Sequence, residues 1–202
     1  MRRNVIFGIV FAFFMFFSSK AIAMDDYTQI TQDYKLQQVL SLLKNHSDET
    51  RETLNIILGN NLSNRPIKIM FYNLSRMNIA YEKYDALTCK HKNGTLYIFI
   101  NSIHRNAPIE ALACLLAHET LHQDDESSYQ EEVTAWTMEA KTWLSFKKAG
   151  IKVDNTHSLV KRLNTIEKMY VNANYLPTLI AQEVRGNAGY RGLAEYSPGY
   201  GI

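Results

Sequence analysis

Apolar positions recur at helical spacing over two stretches near the start of the chain. Leu36, Val39, Leu40 and Leu43 form one set, and Leu54, Ile57 and Leu58 a second, each with the i, i+3, i+4 pattern of one helix face. Asn45-His46-Ser47-Asp48 interrupts them. The pattern therefore predicts two helices between Asp25 and about Asn60, the second capped by Ser47 or Asp48 and closed by Gly59-Asn60-Asn61. The periodicity then changes. Pro66 to Phe71 and Thr95 to Asn101 read as strands, the latter rich in β-branched and aromatic residues. Asn93-Gly94 is a hairpin-turn signal, and it gives the second strand a partner at about Leu87 to His91.

A helix is expected to start at Asn106-Ala107-Pro108, with Asn106 as the capping residue, Pro108 in the first turn and Glu110 near the positive end. It continues through Ala111 to Ala117, small and apolar nearly all round, as a helix through the middle of a domain would be. Gln123-Asp124-Asp125-Glu126 breaks it. Ser128-Tyr129-Gln130-Glu131 then fits a capping box. The helix it opens carries Val133, Trp136, Ala140, Trp143 and Leu144 on its inner face and ends at Gly150. Two more helical stretches follow, about Ser158 to Asn172 and Tyr175 to Val184, and Gly186 to Ile202 shows no periodicity. Helices, a small sheet and further helices make an α+β fold, and 202 residues hold one domain with a real core.

The N-terminus changes what the composition means. Arg2 and Arg3 precede an apolar run from Val5 to Phe17, followed by Ser18-Ser19-Lys20 and Ala21-Ile22-Ala23. That is a secretory signal peptide with cleavage expected after Ala23, and an uncleaved N-terminal anchor is the alternative. The run is shorter than the ~20 apolar residues of a membrane-spanning helix. Membrane contact is expected only if this segment is retained; otherwise the product is secreted or periplasmic. Residues 1–23 hold no acid, so removing Arg2, Arg3 and Lys20 leaves 19 basic residues against 20 acidic ones. The formal +2 becomes −1, and no electrostatic case for nucleic acid survives. Export also permits a disulfide between Cys89 and Cys114, the two cysteines of the chain. The alternative is that both are small buried hydrophobes.

The chemistry concentrates in His118-Glu119-Thr120-Leu121-His122. Histidines four apart on a helix lie on one face, one turn apart, where two imidazoles can share one metal ion. Glu119, beside the first, can reach a water on that metal and serve as general base. Neutral imidazoles with a carboxylate suit Zn²⁺. Cys114 lies one further turn back, but three ligands on consecutive turns of one straight helix span about 12 Å, too far to converge on one ion.

A third ligand is expected on another element, and Glu131 and Glu132 are the best placed. With Ser128 as N-cap, Glu131 occupies the third helical position and folds back onto the cap's own N–H. Glu132, pointing about 100° further round, is then free, and it is preferred over Glu131. Asp124, Asp125 and Glu126 are weaker rivals, or carboxylates that support the ligands.

With these residues in place, the stretch from about Leu96 to Leu144 resembles the zincin metallopeptidases, and among them the gluzincins, whose third ligand is a glutamate on the following helix. Glu132-Val133-Thr134-Ala135 fits the E-x-x-small pattern of that glutamate helix. The resemblance implies a zincin-like α+β fold, with a small antiparallel or mixed sheet packed on a central active-site helix and one such domain over residues 24–202. It also implies that the strand ending near Asn101 is the edge along which an extended peptide pairs. The chain departs from thermolysin-like members in two places. Only nine residues separate His122 from Glu132, and Trp136 stands where those enzymes carry an Asp that orients a ligand histidine. Asp124 or Asp125 is the candidate replacement.

The function that follows is hydrolysis of a peptide or protein substrate, with His118, His122 and Glu132 on Zn²⁺ and Glu119 moving the proton from water to the leaving amine. The metal supplies a water of lowered pKa, from 15.7 toward about 7, and polarises the scissile carbonyl. His157, Tyr170, Tyr175 and Tyr190 all lie downstream of the motif as candidate donors to the developing oxyanion, but each reads first as an ordinary packing or surface residue, and none is named as catalytic. A zinc-containing binding or inhibitor protein without turnover is the alternative, and Glu119 is what argues against it. A third reading is an envelope-anchored structural protein with an uncleaved N-terminus.

Overall fold

A computed structural model of the chain describes residues 26–124 and 126–197. The segment read as a signal peptide, the candidate Asp125 and the last residues of the tail lie outside them. Among the described residues, no helix is long and apolar enough to cross a membrane.

The described chain is α+β. Six α-helices surround a three-stranded mixed sheet, in the order α1 (Tyr34–His46), α2 (Asp48–Ile57), β1 (Lys68–Tyr72), β2 (Ala86–Lys90), β3 (Leu96–Asn101), α3 (Ile109–Glu119), α4 (Tyr129–Lys148), α5 (Ser158–Asn172) and α6 (Thr178–Gly186). The first helical segment starts nine residues later than Asp25, at Tyr34, where Asp33 accepts hydrogen bonds from the N–H groups of Lys35 and Leu36. Ser47 caps α2 in a reciprocal box with Thr50.

The sheet order is β1-β3-β2, with β1 parallel and β2 antiparallel to β3. The hairpin turn is made by His91 to Thr95, with Gly94 at φ 82°, a conformation that favours glycine. This order corrects one expectation. The strand ending at Asn101 is central, and β2 is an edge. The reason is that β1, placed far earlier in the chain, returns to pair with β3 on the side the hairpin leaves open.

Alternation along the strands sets the two faces. Leu96, Ile98 and Ile100 of β3 are buried, and the register pairs Ile98 with Thr88 and Tyr97 with Cys89. Thr88 therefore faces inward and Cys89 outward. Cys114 is buried within α3, on the inner side, and both thiols are free. The disulfide expectation fails for that reason.

α3 runs through the middle. Every residue from Ala111 to Glu119 is buried, against α1, α4 and the inner face of the sheet. Pro108, not Asn106, occupies its N-cap, without a side-chain cap. α4 buries Trp136, Ala140 and Trp143 as the periodicity requires, together with Ala135 and Phe146, while Val133 and Leu144 are only half-buried. Two buried clusters result: a large one around α1, α3 and the sheet, and a smaller one of Trp136, Ala140, Ile166, Tyr170, Ile180 and Val184 between α4, α5 and α6. The histidines of the motif sit where α3 meets α4.

Candidate metal centre

α3 ends at Glu119, so His118 is on its last turn and His122 beyond it. The chain tightens there: Leu121 N–H donates to the His118 carbonyl and His122 N–H to the Glu119 carbonyl, i to i−3 bonds that close a helix end. This brings the two imidazole centroids to 5.0 Å. A continued α-helix was the sequence expectation; the tight turn is what the structure has instead.

Both rings turn Nε2 toward Glu132. His118 Nε2 lies 3.8 Å from Glu132 Oε2, and His122 Nε2 lies 3.8 Å from Glu132 Oε1. One ligand atom from each of the three residues falls within 4.8 Å of the others. Tetrahedral bonds of about 2.1 Å to zinc place ligand atoms roughly 3.4 Å apart, so the three side chains must draw together by up to about an ångström to close on an ion.

The other nitrogen of each ring is also met by a carboxylate. His122 Nδ1 is 2.6 Å from Glu131 Oε1, and His118 Nδ1 is 3.4 Å from Glu139 Oε2. A carboxylate behind each ring is the arrangement that fixes tautomer and orientation in histidine metal sites. Glu132 Oε2, His118 Nδ1 and Glu139 Oε2 are buried and make no hydrogen bond among the described residues. Glu119, Glu131, Glu132 and Glu139 are all buried, with exposures of 0 to 6%. Four carboxylates that deep need positive charge, and one guanidinium, Arg162, reaches one of them directly, pairing with Glu139. A divalent cation between the two Nε2 atoms and Glu132 fits both the geometry and the charge.

The two candidate glutamates are thus separated in role. Glu132 faces the two Nε2 atoms; Glu131 holds Nδ1 of His122 and lies 3.4 Å from the Ser197 hydroxyl. The expected capping box is only half formed. Ser128 Oγ accepts from Glu131 N–H, but the Glu131 side chain reaches inward to the imidazole instead of back to the cap. A buried histidine N–H is a stronger claim on a carboxylate than a helix-end amide that water can also reach.

Asp124, expected as a possible orienting group, accepts from Ser197 Oγ and is not on either histidine among the described contacts. Glu139 does what Trp136 cannot. It lies seven residues after Glu132, on the same stripe of α4, a spacing visible in the sequence but not recognised in it. The sequence reading also missed Arg162, Asp85 and Thr88. The Thr88 hydroxyl lies 2.7 Å from Glu119 Oε2 and 3.0 Å from the Glu119 carbonyl, tying the proposed base to β2.

Of the four candidate oxyanion donors, Tyr190 reaches the site. Burial raises the pKa of its phenol, the neighbouring Glu132 carboxylate raises it further, and its oxygen accepts from Trp136 Nε1 at 3.1 Å. His157 caps α5 instead, and Tyr170 packs edge-on against Tyr175.

In comparison with known proteins, no family model, no curated protein and no solved structure matches the chain.

Proposed function

We propose that this chain is an exported zinc-dependent metallopeptidase, a compact relative in form of the gluzincins, in which His118, His122 and Glu132 hold the metal and Glu119 is the general base. The observation that carries the reading is the convergence of both Nε2 atoms on Glu132 with a carboxylate behind each ring. The buried surplus of carboxylates supports it, because a cation relieves it. The N-terminal Arg2-Arg3 and apolar run support export.

Bound Zn²⁺ supplies a Lewis acid for the scissile carbonyl and a water that deprotonates near neutral pH. The chain does the rest. Thr88 holds the Glu119 carboxylate beside the histidines, where it takes the proton of the attacking water and returns it to the departing amine. Tyr190, kept as a neutral phenol by burial and by Glu132, donates its O–H to the oxygen on which charge develops. An extended peptide pairs with β2, the edge strand that Thr88 ties to the base.

The test is zinc analysis together with hydrolysis of a peptide library by wild type and Glu119→Gln. Stoichiometric zinc in both, with cleavage by wild type alone, is expected. Stoichiometric zinc without cleavage by wild type favours a binding protein, and absence of zinc overturns both readings.

A further inference from the structure

Behind His118 a line of charged groups runs from α3 through α4 and α5 to the segments before β2 and after β3. His118 Nδ1 and Glu139 Oε2 are both buried, lie 3.4 Å apart, and neither makes a hydrogen bond among the described residues. They face each other. The second oxygen of Glu139 receives NH2 of Arg162, from α5. Arg162 Nε lies 3.0 Å from Asp85 Oδ2, just before β2, and Asp85 Oδ1 lies 2.7 Å from Nε2 of the buried His104. Five separate segments therefore contribute to one row, and its end is the imidazole of His118.

The row has a chemical consequence. Glu139 is fully buried, where a carboxyl group needs a fixed polar partner. A planar guanidinium pairs with one of its oxygens, and Asp85 lies on the other side of that guanidinium. A carboxylate oxygen facing Nδ1 favours the ring proton on that side. That leaves the lone pair on Nε2, the atom that faces Glu132.

We propose that Arg162 and Asp85 are positioning residues for a metal on this site: Arg162, lying between Asp85 and Glu139, fixes the Glu139 carboxylate against Nδ1 of His118, and Glu139 thereby orients the ring with Nε2 toward the site. This rests on the metal reading of His118, His122 and Glu132. It reaches beyond the ligands, because neither residue belongs to the His118, His122 and Glu132 group.

Zinc affinity is measured by chelator competition on full-length wild type, Arg162→Met, Arg162→Lys and Asp85→Asn, with the unfolding midpoint of each metal-free protein and ¹⁵N spectra of its imidazoles. Arg162→Met is expected to weaken zinc binding about 10- to 100-fold. Arg162→Lys keeps the charge and recovers part of that loss; Asp85→Asn loses less than Arg162→Met. The His118 ¹⁵N shifts are expected to show the Nδ1–H form in wild type and a mixture in Arg162→Met. If Arg162→Met does not fold, Asp85→Asn and Arg162→Lys decide. Wild type that takes up no zinc overturns the metal reading itself. Wild type with stoichiometric zinc and variants of equal affinity overturns this proposal alone, as does a loss of affinity that follows metal-free stability and leaves the His118 spectrum unchanged.

Discussion

Glu131 and Glu132, adjacent on the first turn of α4, address the two nitrogens of one imidazole: Glu131 Oε1 lies 2.6 Å from His122 Nδ1, and Glu132 Oε1 lies 3.8 Å from His122 Nε2. Neighbouring helix positions differ by about 100°, which is enough to put one side chain behind the ring and the other in front of it. The two substitutions are therefore expected to differ in kind. Glu132→Ala removes a ligand, and the protein is expected to emerge from dialysis with far less than one equivalent of zinc. Glu131→Ala frees the ring to turn and weakens zinc about 10- to 100-fold without abolishing binding. Equal losses for both, in zinc content after dialysis, contradict the division.

Thr88 holds Glu119 through a 2.7 Å contact to Oε2. Thr88→Val removes the hydroxyl and keeps the volume, so zinc content is expected to stay at one equivalent while kcat for a peptide substrate falls about 10-fold, part of what a well-placed general base contributes. Unchanged kcat would show that Glu119 needs no such support.

Tyr190→Phe deletes the proposed donor without opening a cavity. A loss of about 100-fold in kcat with little change in KM is expected, the size seen when one oxyanion donor is removed. A change confined to KM instead assigns Tyr190 to substrate binding.

His122 sets a pH dependence for the metal-free protein. Burial lowers its pKa, but the hydrogen bond with Glu131 and the charges of Glu119 and Glu132 outweigh that and raise it from 6.5 to about 9. A folded pKa above the unfolded one means that protonated His122 contributes stability fully present below about 6.5 and lost as the pH rises through about 9. Urea unfolding of the metal-free protein is expected to show that contribution declining across this window, and Glu131→Gln is expected to flatten the decline. Zinc needs the unprotonated ring, so binding near neutral pH expels roughly one proton. Calorimetric enthalpies that do not vary with the ionisation heat of the buffer would count against this.

Cys89 and Cys114 are free, on opposite sides of the sheet plane as the Thr88–Ile98 register requires. Intact mass is expected to be the same with and without reductant, and both thiols are expected to react once the protein is unfolded. Cys114, fully buried and with its pKa pushed well above the thiol range by burial, is expected to resist alkylation in the native protein.

Local pattern carried much of this protein. The apolar spacing of Leu36 to Leu43, the β-branched run before Asn101 and the small-residue run from Ala111 to Ala117 each report a face that must be buried, and burial is a property of short segments. The spacing of His118, Glu119 and His122 likewise marks candidate chemistry, since neighbours one turn apart are set by helix geometry alone. What no local rule decides is which distant groups meet. β1 takes the free side of β3, which makes β2 the edge; Glu131 leaves its cap for His122; Glu139, Arg162 and Asp85 line up behind His118; and Tyr190 returns from the tail to Glu132. Those are choices among competing partners for buried polar groups. They are settled only when the whole chain packs, because the cost of leaving a buried charge unpaired belongs to the assembled core and not to any one segment.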